Sequence, residues 1–153
     1  MAIDEDFLTR HTQILCDSYR RWTGIELLAK PDDKMQSQAL WEAPFAVLSH
    51  GLQTDPVFNY SNEMGLKLFG YEWDELMQIP SRYSAEAMDR EARDELLARV
   101  TAHGYVDDYT GVRITKNGQR FMIQNATVWN LMDEMGNYYG QAALISNWQF
   151  LEE

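Results

Sequence analysis

Three histidines and a single cysteine are the side chains of this chain best suited to hold a metal ion or a haem. His11, His50 and His103 lie far apart in the sequence, and neither a Cys-x-x-Cys nor a His-x-x-x-His spacing occurs. Zinc sites need several such ligands at short, regular spacings. The sequence therefore predicts no metal site. Because Cys16 is the only cysteine, the chain can form no internal disulfide.

Paired carboxylates are the second group that could do chemistry, as general acids and bases. Each pair is adjacent in a polar segment, where solvation is the simpler explanation. The pairs are Asp32-Asp33, Asp74-Glu75, Asp107-Asp108 and Glu152-Glu153. No nucleophile elbow or glycine-rich phosphate loop accompanies them. We predict that the chain is not an enzyme; a small enzyme would instead show a polar cleft with a strongly shifted carboxyl pKa.

Two polar residues fall on the bulkier face of a predicted strand over residues 119–132. Alternation places the odd-numbered side chains of this strand on one face, which we assign to the interior. That face carries Phe121, Ile123, Asn125, Thr127, Trp129 and Leu131. A buried amide without a partner costs about 1–3 kcal/mol, so Asn125 must bond to protein, to water or to a ligand.

Turn signals and periodicity predict the elements around this strand. Asn117-Gly118 is typical of a two-residue hairpin turn between strands 106–116 and 119–132, and a further strand covers 138–148. A helix precedes them, from Asp89 or slightly earlier, at Ser84, to His103. Its predicted buried stripe is Met88, Ala92, Leu96, Leu97 and Val100.

The opposite charges on this helix, four residues apart, are expected on its solvent faces. These pairs are Asp89 with Arg93, Arg90 with Asp94 and Glu95 with Arg99.

An amphipathic helix is also predicted near the N-terminus, where apolar and aromatic residues recur at helical spacing from Phe7 to Trp22. Asp4 is its expected cap and Gly24 its end. The helix could cover the open face of a sheet in its own chain or pair with the same helix of a second chain. An aromatic stripe favours the first arrangement.

Length and charge narrow the class of protein. The chain has 153 residues, the size of one domain, and no apolar run approaches the roughly 20 residues needed to cross a bilayer. A formal net charge of −11 disfavours direct nucleic-acid binding, because phosphates repel a net-acidic surface. With an acidic N-terminus instead of a signal peptide, we expect a cytoplasmic protein without membrane contact.

The stretch from Asp55 to Leu76 combines a short strand, a helix capped by Asn62 and a glycine stop at Gly70. Together with Phe69, Tyr71 and Glu75-Leu76, this order resembles the first half of a PAS domain, and the likeness extends over residues 44–148. The C-terminal run 145–150, Ile-Ser-Asn-Trp-Gln-Phe, is similar to that of MEKHLA domains, a branch found as stand-alone bacterial proteins and in plant homeodomain-leucine zipper proteins.

The resemblance implies an α+β, PAS-like fold: an antiparallel five-stranded sheet covered on one face by helices, with an extra N-terminal amphipathic helix. Residues 1–43 would form that helix and its connection, and residues 44–150 one compact PAS-like unit. The implied function is a sensory or regulatory module that binds a small molecule or a protein partner and signals by association. The alternatives are a ligand-free dimerisation domain and, less favoured, a small enzyme.

The resemblance also implies a cavity between the sheet and the long helix. Its candidate ligand-binding residues are Tyr83, Met88, Phe121, Ile123, Asn125, Thr127, Trp129 and Ile145. The cofactor is unknown. A flavin–thiol adduct is excluded because the segment 80–86 lacks cysteine, and haem is disfavoured because His103 suits a helix C-terminus for its charge alone. A homodimer is expected through a sheet face with Met122, Val128 and Met132.

Overall fold

The computed structural model describes residues 3–29, 35–86 and 89–152. Its helices are α1 (Glu5–Thr23), α2 (Gln36–Trp41), α3 (Glu63–Phe69), α4 (Trp73–Leu76) and α5 (Arg90–His103), with a short 3-10 helix over Ser81–Ser84. Its strands are β1 (Ala46–His50), β2 (Phe58–Ser61), β3 (Tyr105–Ile114), β4 (Arg120–Met132), β5 (Tyr138–Ile145) and β6 (Trp148–Phe150). Within these ranges, no helix combines the length and the apolar character that a membrane crossing requires.

The sheet is antiparallel, with strand order β2-β1-β5-β4-β3. These are the five strands that the sequence predicted. A sixth strand, β6, pairs with the first part of β4, where Phe121 lies opposite Phe150. The predicted strand over residues 138–148 thus ends at Ile145, and only its last residue, Trp148, lies in β6. Between the two strands, the carbonyl oxygen of Asn147 accepts a hydrogen bond from the main-chain nitrogen of Gln124 in β4, at 3.0 Å.

Helices cover both faces of this sheet. Along β1, Val47 packs in one cluster with Leu15 of α1, while Ala46 and Leu48 pack in another with residues of α3. Neighbouring residues of a strand point to opposite faces, so α1 lies across the sheet from α3. The face with α3 shows the helical cover that was predicted for a PAS-like fold. Helix α1 covers the opposite face of the sheet.

Helix α1 packs on the sheet of its own chain. Asp4 caps it by accepting a hydrogen bond from the main-chain nitrogen of Asp6 at 2.9 Å, and Gly24 ends it in a left-handed conformation. Tyr19 lies edge-on against Trp129 of β4, with ring centroids 5.0 Å apart. Of the two arrangements predicted for this helix, the structure shows the one in which it covers the sheet of its own chain.

The cap at Asn62 has the predicted role and two further ones. Its Oδ1 accepts from the main-chain nitrogens of Gly65, at 3.1 Å, and of Val47, at 3.0 Å. Its Nδ2 donates to the carbonyl oxygens of Leu40 and Phe45. One fully buried amide therefore joins the start of α3 to β1 and to the end of α2, which fixes this end of the sheet.

Strand β4 contains a bulge at Asn125, and the predicted alternation fails there. Asn125 has a φ of 53°, and it is the only non-glycine residue with a positive φ in the described ranges. Asparagine tolerates this left-handed conformation better than most residues. The bulge shifts the pleat by one residue, so Ala126 and Val128 share the face of Ile123 while Trp129 turns toward α1.

Candidate functional site

A cavity of about 70 Å³ lies between the sheet and α5. Its apolar walls come from the strands and from Leu96 and Leu97 of α5. Its polar lining is Ser49, His50, Ser81, Ser84, Arg93, Tyr109, Arg113 and Gln141. The position is the one predicted for a ligand, but most of these polar residues were not singled out in the sequence.

Some predicted site residues do meet at this cavity. Ile123 and Ile145 line it. Phe121 is fully buried in the same cluster, where its ring packs edge-on against Phe69 with centroids 5.1 Å apart. These three residues support the wall of the cavity. Whether they contact a ligand remains a prediction.

The other predicted site residues lie elsewhere. Asn125 is exposed at the bulge, and Thr127 and Trp129 point to the face that α1 covers, so assigning them to one interior with Ile123 was wrong. Tyr83 is 45% exposed, with the guanidinium groups of Arg82 and Arg90 over its ring. Met88 lies outside the described residues.

Arg93 is the first polar residue that sequence reasoning missed. It was expected on a solvent face of α5, yet only 6% of it is exposed, and its Nη2 donates to Ser81 Oγ at 2.5 Å. Burial, followed by the charge of Arg113, lowers the pKa of Arg93 to about 10, so it stays charged at neutral pH. Arg93 lies three residues before Leu96 and seven before Val100, which places all three on one face of the helix. This spacing could have predicted that Arg93 is buried.

Arg113 is the second missed residue and enters the cavity from β3. It is 8% exposed, and its Nη1 donates to the carbonyl oxygen of Val112 at 3.0 Å. Its guanidinium carbon lies 5.1 Å from the ring centroid of Tyr109. The partners of both buried arginines are therefore mostly neutral.

His50 contributes a buried acceptor. Its Nδ1 donates to the carbonyl oxygen of Gly51 at 3.2 Å, which leaves Nε2 as the unprotonated nitrogen. This atom is buried and makes no hydrogen bond of normal geometry within the described residues, although the side chain of Gln141 lies close enough to act on the pKa of the ring. Burial is the main reason that the pKa of His50 falls to about 4. At neutral pH the ring is therefore neutral and has a free lone pair.

Gln141 connects the cavity to the end of α5. Its Nε2 lies within hydrogen-bonding distance of Leu97 O, Thr101 Oγ1 and Asn130 Oδ1, at 3.2, 3.1 and 3.1 Å. Asn130 in turn donates from Nδ2 to Val100 O at 2.9 Å. Two side-chain amides of the sheet thus bond to the last turns of the helix.

The residues present do not fit a flavin, the group that the light-sensing branch of PAS-like proteins would imply. About 70 Å³ is far below the roughly 300–1,000 Å³ of pockets for drug-sized ligands. Cys16 lies in the cluster under α1, on the other side of the sheet, and burial raises its thiol pKa to about 12. This thiol cannot attack a ring held beneath α5.

Metal and haem ligands are not assembled either. His103 is exposed at the end of α5, His50 lies at the cavity and His11 is buried under α1. Within the described ranges, no cluster of three or more histidine, cysteine, aspartate or glutamate side chains could hold a metal ion.

This arrangement of sheet, helices and cavity is the PAS fold. A PAS domain from Colwellia psychrerythraea has a TM-score of 0.60 at 18% identity, covering 72% of this chain and 91% of that one. The light-state dimer of the fungal blue-light photoreceptor Vivid has a TM-score of 0.62 at 20% identity, covering 96% and 97%. At such identities the likeness establishes the fold alone, and it confirms the predicted PAS-like class.

The chain belongs to the MEKHLA domain family, whose model matches residues 9–150. Homeobox-leucine zipper protein HOX9 of rice, Oryza sativa, is 27% identical over 139 residues, covering 90% of this chain. ATHB-15 of Arabidopsis thaliana is 23% identical over 139 residues, with the same coverage. The chain spans only 16% and 17% of these relatives, so it matches one domain of much longer proteins.

Proposed function

We propose that this chain is a sensory module that binds a small molecule, or a protein partner, and signals by association. The observation that carries the proposal is the cavity under α5, where the Nε2 of His50 is buried without a partner in the described part of the chain. A buried polar atom left unpaired is costly, and His50 lines the cavity, so a guest that donates a hydrogen bond to this ring would be favoured there.

Occupancy would act on α5 through Gln141. This side chain lines the cavity and bonds to Leu97 and Thr101 of the helix, so a molecule that draws its amide inward would loosen those bonds. A ligand shifts the equilibrium between two conformations only by as much as it binds one of them better than the other. Here the two conformations would differ in whether the Gln141 amide bonds to α5 or to the ligand. The change would then reach a partner surface through the sheet or through α1.

Native mass spectrometry of protein purified from its own host tests the proposal. We expect extra mass that is released on denaturation. Ala143 lines the cavity, so Ala143→Leu should fill it and abolish that mass. Ala98→Leu adds the same volume at an exposed position of α5 and should retain it. A bare dimer for the wild-type chain would favour the ligand-free dimerisation domain instead.

The proposed dimer surface needs one correction. Val128 is only 5% exposed and packs under Leu96 and Val100 of α5, so it cannot belong to an open sheet face. Met122 and Met132 are half-buried. A homodimer remains a proposal, but α5 covers part of the surface first assigned to it.

Several further expectations are part of the same proposal. We propose residues 44–150 as the PAS-like unit and residues 1–43 as its N-terminal cover. A formal charge of −11 supports the absence of direct nucleic-acid binding, and a cytoplasmic location is still expected. A non-enzymatic role is supported because the resolved carboxyl pKa shifts, at Glu75, Asp133 and Glu134, are all downward. Glu134 is exposed and the other two are half-buried, and none of the three lines the cavity under α5.

A further inference from the structure

The charge of the cavity is opposite to that of the chain. The sequence has 24 acidic and 13 basic residues, yet the described lining contains two arginines and no carboxylate. Both arginines are more than nine-tenths buried. The charge of Arg113 contributes to lowering the pKa of Arg93, which places the two guanidinium groups close enough to repel each other.

These two charges are poorly compensated by protein groups. The carboxylate nearest to Arg93 is that of Asp94, at 3.6 Å, and its side chain is 72% exposed and so directed to solvent. The other partners described for the pair are the hydroxyl of Ser81, a carbonyl oxygen and the ring of Tyr109. The charge of Asp55 also acts on Arg93, but its carboxylate is bonded to Arg82 and its side chain is 47% exposed. A guanidinium group has five N–H donors, and a buried charge requires a partner of opposite sign or several hydrogen bonds.

The two arginines need hydrogen-bond acceptors, whereas His50 needs a donor, because its buried Nε2 is an acceptor. A cavity of about 70 Å³ limits the guest to a few non-hydrogen atoms, since one water needs about 10–15 Å³ of such space. A small hydroxycarboxylate satisfies all three conditions: two oxygens for the arginines, a hydroxyl proton for the histidine and a suitable size.

We infer that the cavity under α5 binds a small carboxylate bearing a hydroxyl group, with the carboxylate on Arg93 and Arg113 and the hydroxyl donating to His50 Nε2. This inference rests on the proposed sensory function and names the class of its ligand. Arginine matches a carboxylate well, because its planar N–H groups can donate to both oxygens.

The test uses glycolate, acetate and glycolamide on the wild-type chain, in calorimetric titrations and thermal melts at matched ionic strength. Glycolate should bind and raise the melting temperature as its concentration rises. Acetate, which lacks the hydroxyl, should bind more weakly, and the neutral glycolamide should have no effect. Equal effects of glycolate and glycolamide, or no effect of either, would overturn the inference without reference to any variant.

Substitutions then locate the site. Arg93→Gln and Arg113→Gln should each weaken glycolate binding by about tenfold or more, because each removes a charge-assisted hydrogen bond. Arg99→Gln makes the same change of charge at an exposed position of α5 and should bind as the wild type does. Circular dichroism confirms that each variant is folded. Wild-type affinity in both cavity variants would refute the proposed contacts.

The same experiments separate this inference from the proposed function. If the protein from its host carries a neutral molecule that Ala143→Leu abolishes, the sensory function stands and the anion inference fails. If no molecule is carried and the carboxylates have no effect, both fail.

Discussion

The indole Nε1–H of Trp22, in the last turn of α1, donates a hydrogen bond to the main-chain oxygen of Asn130 in β4, at 2.9 Å. The ring of Trp22 also lies against Gly104, where any Cβ would come within 2.6 Å of it. Asn130 bonds through its side chain to Val100 near the end of α5 and to Gln141 at the cavity. The N-terminal helix, the long helix and the cavity wall therefore meet around one strand residue.

Trp22→Phe should lower the free energy of unfolding by about 1 kcal/mol, because it removes this hydrogen bond while keeping an aromatic ring in place. Chemical unfolding measures the loss. Trp148→Phe, in the short edge strand β6, is the matched control and should cost less. If Asn130 connects α1 to the cavity, Trp22→Phe should also change how strongly glycolate stabilises the chain. An unchanged ligand effect would remove α1 from the proposed signalling route.

Leu15→Ala should lower the free energy of unfolding by about 2–5 kcal/mol, because Leu15 is fully buried between α1 and the sheet. Leu52→Ala makes the same truncation at a residue that is 58% exposed and should stay within about 0.5 kcal/mol of the wild type. Since α1 packs on its own sheet, the loss caused by Leu15→Ala should be the same at low and at high protein concentration. A loss that grows with protein concentration would indicate that α1 pairs between chains.

Asn125→Val should destabilise the chain by about 1–2 kcal/mol, because a β-branched side chain is strained at a φ of 53°. The neighbouring Gln124 is also exposed but has no positive φ, so Gln124→Val should be neutral or slightly stabilising in a strand. Urea unfolding of the pair separates backbone strain from the loss of a polar side chain. Equal stability of the two variants would contradict the role of Asn125 in the bulge.

The fold was predictable because its signals are local. Asn62, Gly70 and Gly104 mark helix ends where the structure has them, and the hairpin turn at Asn117-Gly118 joins β3 to β4. Each signal acts within a few residues, through a cap or a left-handed backbone angle. Such signals fix the order of elements but not which side chains meet across the sheet.

The cavity was harder to predict because it depends on one backbone angle and on buried charge. Alternation correctly placed Phe121 and Ile123, but the positive φ of Asn125 reversed the assignment of Thr127 and Trp129. Charged residues on helices are usually solvated, so the sequence pattern placed Arg93 on the solvent face of α5. Only the tertiary structure shows that Arg113, twenty residues further along the chain, faces the same cavity.

Two buried histidines should make stability depend on pH well above the range where carboxylates titrate. Burial is the largest cause that lowers the pKa of both His11 and His50 from 6.5 to about 4. Between these two values the unfolded chain binds protons that the folded chain does not, so stability falls as pH decreases from about 7 toward 4. Each histidine should lose about 2 kcal/mol between pH 7.5 and pH 5.

Urea unfolding at pH 7.5 and pH 5 checks this dependence in variants that remove one titrating ring. His11 stacks on Phe7 with ring centroids 4.9 Å apart, so His11→Phe can keep the packing while removing its share of the loss. His103→Gln removes an exposed histidine at the end of α5 and should retain the full wild-type dependence. An unchanged dependence in His11→Phe would mean that this ring is not kept neutral by its burial, because the neutral form is the physical source of the effect.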